Sequence, residues 1–335
     1  MFFRSINTIE AHNAGMPIKI VFLPNIPGST MQDKKNYCIS NLDWVRKILM
    51  NEPRGYDNSY GIIITSPTRK DADFGALYID PTGWHDMCGH ASMGFSSIVV
   101  RLGLVSIVEP ITNVVLDTPA GLVNVKVHIE SGEVRHVSLV NVASFVLDTK
   151  KVEVDGYGEV RVYISFGGDF YGIINLEELG LKWNKNTLPE LISIARQVWN
   201  EIDDNSIAHP IVKGVKGIYG IRFVEKVSDN PYRAYGILIF GSKDKPLIDR
   251  SPSGTGTSAH LAYLHYIGEL RVGEKGDFTS AINTVFEGKI LSEATVGPYK
   301  AIVPQITSKD KGGYITGYST WVVENDDPIG LGFQL

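Results

Sequence analysis

The 335-residue chain carries two cysteines, Cys38 and Cys88, too few for a disulfide-stapled scaffold or a cysteine-rich zinc module. It lacks any excess of positive charge. Lys and Arg number 32 against 37 Asp and Glu, a net charge of −5, so there is no basic footprint for nucleic acid or for an anionic membrane. No apolar run approaches the about 18 residues that a spanning helix needs, and the best, from Phe95, is cut by Arg101. The start, Met1-Phe2-Phe3-Arg4-Ser5-Ile6-Asn7, lacks the basic and then apolar order of a secretory signal, so a cytoplasmic protein is expected. Low-complexity tracts are missing as well. What remains is an ordinary globular composition, with 43% hydrophobic and 21% charged residues, 34 Gly and 16 Pro. At roughly 150 residues per domain, the length predicts two domains, each with its own core.

Short β-branched and aromatic runs broken by Gly, Pro and Asn dominate the chain. Ile18–Leu23, Gly61–Thr65, Leu122–His128, Arg161–Phe166, Tyr235–Phe240 and Thr320–Val323 read as strands. Asn41–Leu49 and Leu188–Ile202 interleave polar residues at helical spacing and read as amphipathic helices. Cys88–Leu102 and Gly254–Leu270 are apolar on nearly every side, which places them inside the protein. Both open alike. Asp86-Met87-Cys88-Gly89-His90-Ala91-Ser92 and Ser251-Pro252-Ser253-Gly254-Thr255-Gly256-Thr257 each set a small nucleophile-type side chain and a glycine before the helix. This weak repeat, half a chain apart, predicts two similar halves, each a curved sheet around one central helix, divided near residues 150–165.

A lone cysteine in an apolar stretch is ordinarily a small buried hydrophobe, and Cys38 reads that way. Cys88 differs because a helix starts directly after it. A thiol there meets unpaired N–H groups and the positive end of the helix dipole, which lowers its pKa from about 8.5 and favours a nucleophilic or basic thiolate. His85, Asp86, Cys88 and His90 are too compressed for a zinc site, and His12 and His209 are scattered. Gly254-Thr255-Gly256-Thr257-Ser258-Ala259 fits the G-x-G-x-x-G/A pattern of dinucleotide sites. Pro252 breaks the strand that should lead into it, and regular βαβ alternation is missing. The glycines still let backbone N–H groups close on an anion at a helix start, and a small carboxylate suits them better than a pyrophosphate. Two such starts on one carboxylate would stabilise the carbanion formed at the Cα of an amino acid, at roughly 3–4 kcal/mol per donor. A base on one face and an acid on the other would then invert that carbon without a cofactor.

Asp86-Met87-Cys88-Gly89-His90 and Asp249-Arg250-Ser251-Pro252-Ser253-Gly254-Thr255-Gly256-Thr257 resemble the two signature motifs of the proline racemase family. Its members include proline racemases, 4-hydroxyproline epimerases and trans-3-hydroxy-L-proline dehydratases. The likeness extends through His12-Asn13-Ala14-Gly15, Pro53-Arg54-Gly55, Ala72-Asp73-Phe74-Gly75, Gly167-Gly168-Asp169-Phe170-Tyr171 and Asp327-Pro328. It implies an α/β (α+β), diaminopimelate-epimerase-like fold of two pseudo-symmetric halves, each a barrel-like sheet around a buried helix. Residues 1–155 with 318–335 would carry Cys88, and residues 156–317 would carry Ser253. It also implies a site between the halves for a small proline-type amino acid, with no pyridoxal phosphate, metal or other cofactor. By motif position Cys88 and Ser253 are the catalytic pair, and the amides of Gly89, His90, Gly254 and Thr255 hold the substrate carboxylate. Asp249, with His90, meets the ring nitrogen, while Tyr60 and Phe240 line the ring. A homodimer is the expected assembly.

Ser253 departs from the family pattern, in which racemases and epimerases carry Cys at both catalytic places and dehydratases carry Cys with Thr. Met16 and Asp169 stand where Glu and Asn are usual. A serine hydroxyl is a far poorer acid or base than a thiol near neutrality, which cripples two-base inversion. Dehydration asks for one base, Cys88, and a departing β-hydroxyl. The expected reaction is therefore dehydration of trans-3-hydroxy-L-proline. The alternatives are racemisation or epimerisation, an inactive amino-acid-binding homologue and, more remotely, a dinucleotide-dependent oxidoreductase.

Overall fold

The computed structural model describes residues 3–202, 204–212 and 215–334. The chain divides into two compact units, one of residues 1–139 with 308–335 and one of residues 140–307. In the first unit Phe3–Asn13 pairs antiparallel with Tyr314–Glu324 on one side and with Met16–Phe22 on the other. Met16–Phe22 runs parallel to Gly61–Thr65, which is antiparallel to Phe74–Ile79. Phe74–Ile79 is parallel to Ile111–Thr118, and Gly121–Glu130 and Glu133–Val140 follow antiparallel. Each parallel step needs a crossover. The first contains α1 (Met31–Tyr37), a π-helical turn at Cys38–Leu42 and α2 (Asp43–Met50); the second contains α3 (Gly89–Arg101).

The second unit repeats this scheme. Gly158–Phe166, Phe170–Asn175, Gly220–Asp229, Tyr232–Gly241, Lys275–Thr279 and Val285–Val296 are joined antiparallel, parallel, antiparallel, parallel and antiparallel. The same succession links Phe3–Asn13 to Gly121–Glu130. Helix α4 (Leu188–Glu201) lies in the first crossover and α5 (Gly254–Tyr266) in the second. The repeat expected from the two glycine-bearing helix starts is thus a repeat of whole-sheet topology, in the mixed α/β fold that the sequence predicts.

Burial follows the sequence pattern. Every residue of α3 except Arg101 is buried, as are the first eleven residues of α5. Helix α4 buries only Leu191, Ile194, Ala195 and Val198, one stripe at helical spacing. Close approach to α3 requires small residues: a Cβ on Gly94 would lie 2.5 Å from Cδ1 of Ile18, and one on Gly313 would lie 2.5 Å from the carbonyl oxygen of Gly94. Ser97 and Arg101 donate to the carbonyls of Lys311 and Gly313, which ties this late segment to the helix and delivers Tyr314–Glu324 beside Phe3–Asn13.

One expectation fails locally. Asn41–Leu49 is not a single helix; its first residues complete the π-helical turn, and α1 precedes it unannounced. Helix α1 turns Lys34 inward, where its ammonium donates to the Ser66 carbonyl at 2.9 Å, so a buried lysine masks the apolar period. Among the described residues no helix is long and apolar enough to cross a membrane.

Candidate active site

Cys88 is the N-cap residue of α3, with extended backbone (φ −150°, ψ 119°) and a side chain that does not cap the helix. Its carbonyl accepts from the amide and the hydroxyl of Ser92, at 3.0 and 2.7 Å, which fixes the first turn. Sγ lies 3.0 Å from Nδ1 of His90. His90 is buried, its carbonyl accepts from Nδ2 of Asn13 at 3.0 Å, and burial pushes its pKa down to about 3. The imidazole is therefore neutral at physiological pH. The ring of Tyr60 meets that of His90 edge-on at 4.7 Å. The first unit thus gathers Cys88, Gly89, His90 and Tyr60 around one helix start. Cys38 belongs elsewhere: it is buried in the core beside Val45, Ile48 and Leu77, and burial pushes its thiol up to about 12.

The second unit gathers Asp249, Ser253, Gly254 and Thr255 around the start of α5. Ser253 is its N-cap and accepts from the Gly256 amide at 3.0 Å. Its φ of 63° with ψ of 121° lies outside the ordinary regions for a residue with a side chain, a strain of about 1–3 kcal/mol that the surroundings must hold. They do so through paired groups. The Ser253 amide donates to Oγ of Ser251 at 3.1 Å, and the amide and hydroxyl of Ser251 both donate to Oδ1 of Asp249, at 2.8 and 2.9 Å. On the other side of the peptide, the Pro252 carbonyl accepts from Nη1 of Arg222 at 2.9 Å and from Oγ1 of Thr257 at 2.8 Å. Thr255 shares a 2.5 Å hydrogen bond with the Tyr171 hydroxyl.

Burial raises Asp249 to about 6, against the opposing pull of the Ser251 hydrogen bonds and the charges of Arg222 and Arg250. It is an anion at neutral pH in a place where a cation would be welcome. Phe240, one strand away from Asp249, is buried and stacked on Tyr219 at 5.5 Å. Gly167 backs the helix start, since a Cβ there would lie 2.2 Å from the Thr255 carbonyl oxygen.

Two features escape a reading of the motifs. Asp80 is buried; Oδ1 accepts from the Thr82 amide at 2.7 Å and the Gly83 amide at 2.9 Å, and Oδ2 lies 2.8 Å from Nε2 of His85, whose ring stacks on Tyr60. Asp80-Pro81-Thr82-Gly83 announces the turn but not the contact with His85. Arg222 is the other. A single charge within Gly220-Ile221-Arg222-Phe223-Val224 is the signal that would have found it. Among the described residues, no group of three or more His, Cys, Asp or Glu side chains is arranged to hold a metal.

The chain as a whole has relatives among known proteins. The family model described as proline racemase matches residues 8–334. The chain is 40% identical over 340 residues to a proline racemase of Acetoanaerobium sticklandii, covering 100% of this chain and 99% of that protein. It is 36% identical over 332 residues to a trans-3-hydroxy-L-proline dehydratase of Bacillus cereus, covering 98% and 97%. Among solved structures, a hydroxyproline epimerase of Agrobacterium vitis with bound trans-4-hydroxy-L-proline superposes with a TM-score of 0.88 at 26% identity, covering 100% and 96%.

Proposed function

Because the chain belongs to the proline racemase family, we propose that it acts on a proline-type amino acid without a cofactor and dehydrates trans-3-hydroxy-L-proline. Cys88, as thiolate, takes the Cα proton. The amides of Gly89, His90, Gly254 and Thr255 receive the charge that develops on the carboxylate, and the Asp249 carboxylate, with His90, holds the ring nitrogen. Tyr60 and Phe240 line the ring. The electron pair left at Cα forms the Cα–Cβ double bond as the C3–O bond breaks. The hydroxyl leaves as water with the proton that Cys88 took from Cα, which returns Cys88 to thiolate, and the enamine tautomerises in solution to Δ1-pyrroline-2-carboxylate.

The observation that carries this reading is Ser253. Its hydroxyl stands at the second motif's start and already accepts from the Gly256 amide. A serine there is a poor proton donor or acceptor for a carbon acid, yet it suits a leaving hydroxyl that needs only a hydrogen bond. A second reading, Cα inversion of proline or 4-hydroxyproline, is favoured by the 40% identity to a proline racemase.

Proton NMR in D2O separates the two readings. Loss of trans-3-hydroxy-L-proline to a pyrroline carboxylate, with proline and 4-hydroxyproline unchanged, supports dehydration. Deuterium at Cα of proline or 4-hydroxyproline with inverted product, and no dehydration, replaces it with isomerisation.

A further inference from the structure

We propose that Arg222 is the positioning residue of the second motif: its guanidinium grips the Pro252–Ser253 peptide from behind and sets its charge against Asp249. This deepens the functional reading above and rests on its assignment of Asp249 and Ser253.

The residue is wholly buried in the strand Gly220–Asp229. Nη1 donates to the Pro252 carbonyl at 2.9 Å, and Nη2 donates to Oγ1 of Thr257 at 3.1 Å. Thr257 in turn donates to the same Pro252 carbonyl at 2.8 Å. Two donors, themselves joined by a hydrogen bond, therefore close on one carbonyl, directly before the residue with the left-handed φ. The Ser253 amide is held from the opposite side by Ser251, so the peptide plane cannot rotate to relieve the strain. A planar fork that meets two acceptors at fixed spacing is an arginine property, which an ammonium does not reproduce. The fold also keeps room for it. On the neighbouring strand a Cβ at Gly236 would fall 2.0 Å from Nη2 and 2.4 Å from Cζ.

The charge has a second effect. Burial lowers the Arg222 pKa to about 10, so the group stays cationic at neutral pH. The groups that face it are Asp249 in the loop before α5, Tyr171 in the strand Phe170–Asn175 and His260 in α5, the last held neutral by burial. Asp249 is faced by Arg222 and by its neighbour Arg250. Removing the Arg222 charge takes away part of what keeps the buried carboxylate ionised. The acid limb of substrate binding then moves to higher pH.

The test uses Arg222→Lys, Arg222→Gln and Thr257→Val in the full chain. Amide hydrogen exchange over residues 249–258 reads the brace without reference to activity, and turnover of whichever prolyl amino acid the wild type accepts, followed by proton NMR in D2O as loss of the Cα–H signal, reads the chemistry. Faster amide exchange is expected in all three variants. Both Arg222 variants should lose kcat by roughly 10²-fold, as misplacement of a reacting group does. Arg222→Lys should keep the wild-type acid limb of kcat/KM, whereas Arg222→Gln should raise it by about one pH unit.

Wild-type amide protection in Arg222→Lys and Thr257→Val overturns the brace. An acid limb unmoved in Arg222→Gln overturns the electrostatic part. If Arg222→Gln does not fold, an acid limb shifted in Arg222→Lys, which keeps the charge, overturns that part instead. If the wild type neither dehydrates nor exchanges Cα–H of any prolyl amino acid, the functional reading fails by itself and the amide exchange still decides the brace.

Discussion

Sγ of Cys88 lies 3.0 Å from Nδ1 of His90, two residues further along the chain. Burial keeps that imidazole neutral far below physiological pH. The pair therefore exchanges a hydrogen bond and no charge: one tautomer donates to a thiolate, the other accepts from a thiol. On the proposed mechanism, His90 is ready at every working pH and contributes no ionisation of its own between pH 5 and 8.

Cys88→Ala removes the proposed base. Cα–H abstraction, read as turnover of the substrate, should fall by about 10²–10⁴-fold, the usual worth of a positioned general base. The residue is small and its side chain caps nothing, so far-UV circular dichroism and the melting temperature should stay close to wild type. Unchanged turnover would remove Cys88 from the mechanism.

Ser253→Cys restores a thiol at the second helix start. The expected outcome is inverted proline or 4-hydroxyproline, detected by chiral chromatography, where the parent gives none. Sulfur caps an amide less well than oxygen, and loss of the bond from Gly256 should lower stability by about 1 kcal/mol.

The acid limb of kcat/KM should lie near pH 6, where Asp249 takes up a proton and ceases to attract the substrate's ring ammonium. The sign for folding is opposite. Since burial raises this carboxyl in the folded state, protonation favours the fold, and its contribution grows as the pH falls from about 6 towards the ordinary carboxylate value. Activity should vanish on acidification before the near-UV circular dichroism changes; coincident loss would tie the limb to unfolding.

Phe95→Ala tests the core that carries α3. The ring is completely buried and packs edge-on against Phe74 at 5.3 Å. Its removal should cost about 3–5 kcal/mol, read from the denaturant midpoint at constant m-value.

How much could be seen beforehand follows from where each signal resides. The two central helices are legible because an all-round apolar helix has one possible home, and α3 and α5 are buried along nearly their whole length. The strand Gly61–Thr65 has the same limits in sequence and structure. Helix α1 is hidden because Lys34 is buried, and its partner, the Ser66 carbonyl, lies 32 residues away. The Asp80–His85 pair and the Arg222 brace are hidden for the same kind of reason. Their meaning lies in a partner brought close by pairing of strands and turns, and local periodicity carries no trace of it. The return of the chain's end is expected, for residues 318–335, only from the family resemblance; local pattern carries no trace of the contact that accompanies it, Gly313 against Gly94.

That return also orders events during synthesis. Residues 140–307 form one continuous stretch and can close as a unit while they leave the ribosome. The first unit must wait, because Phe3–Asn13 has Tyr314–Glu324 as its neighbour on one side. Until that strand is made, one edge of Phe3–Asn13 exposes a row of unsatisfied backbone groups. An open strand edge of this kind is a template for pairing with other chains.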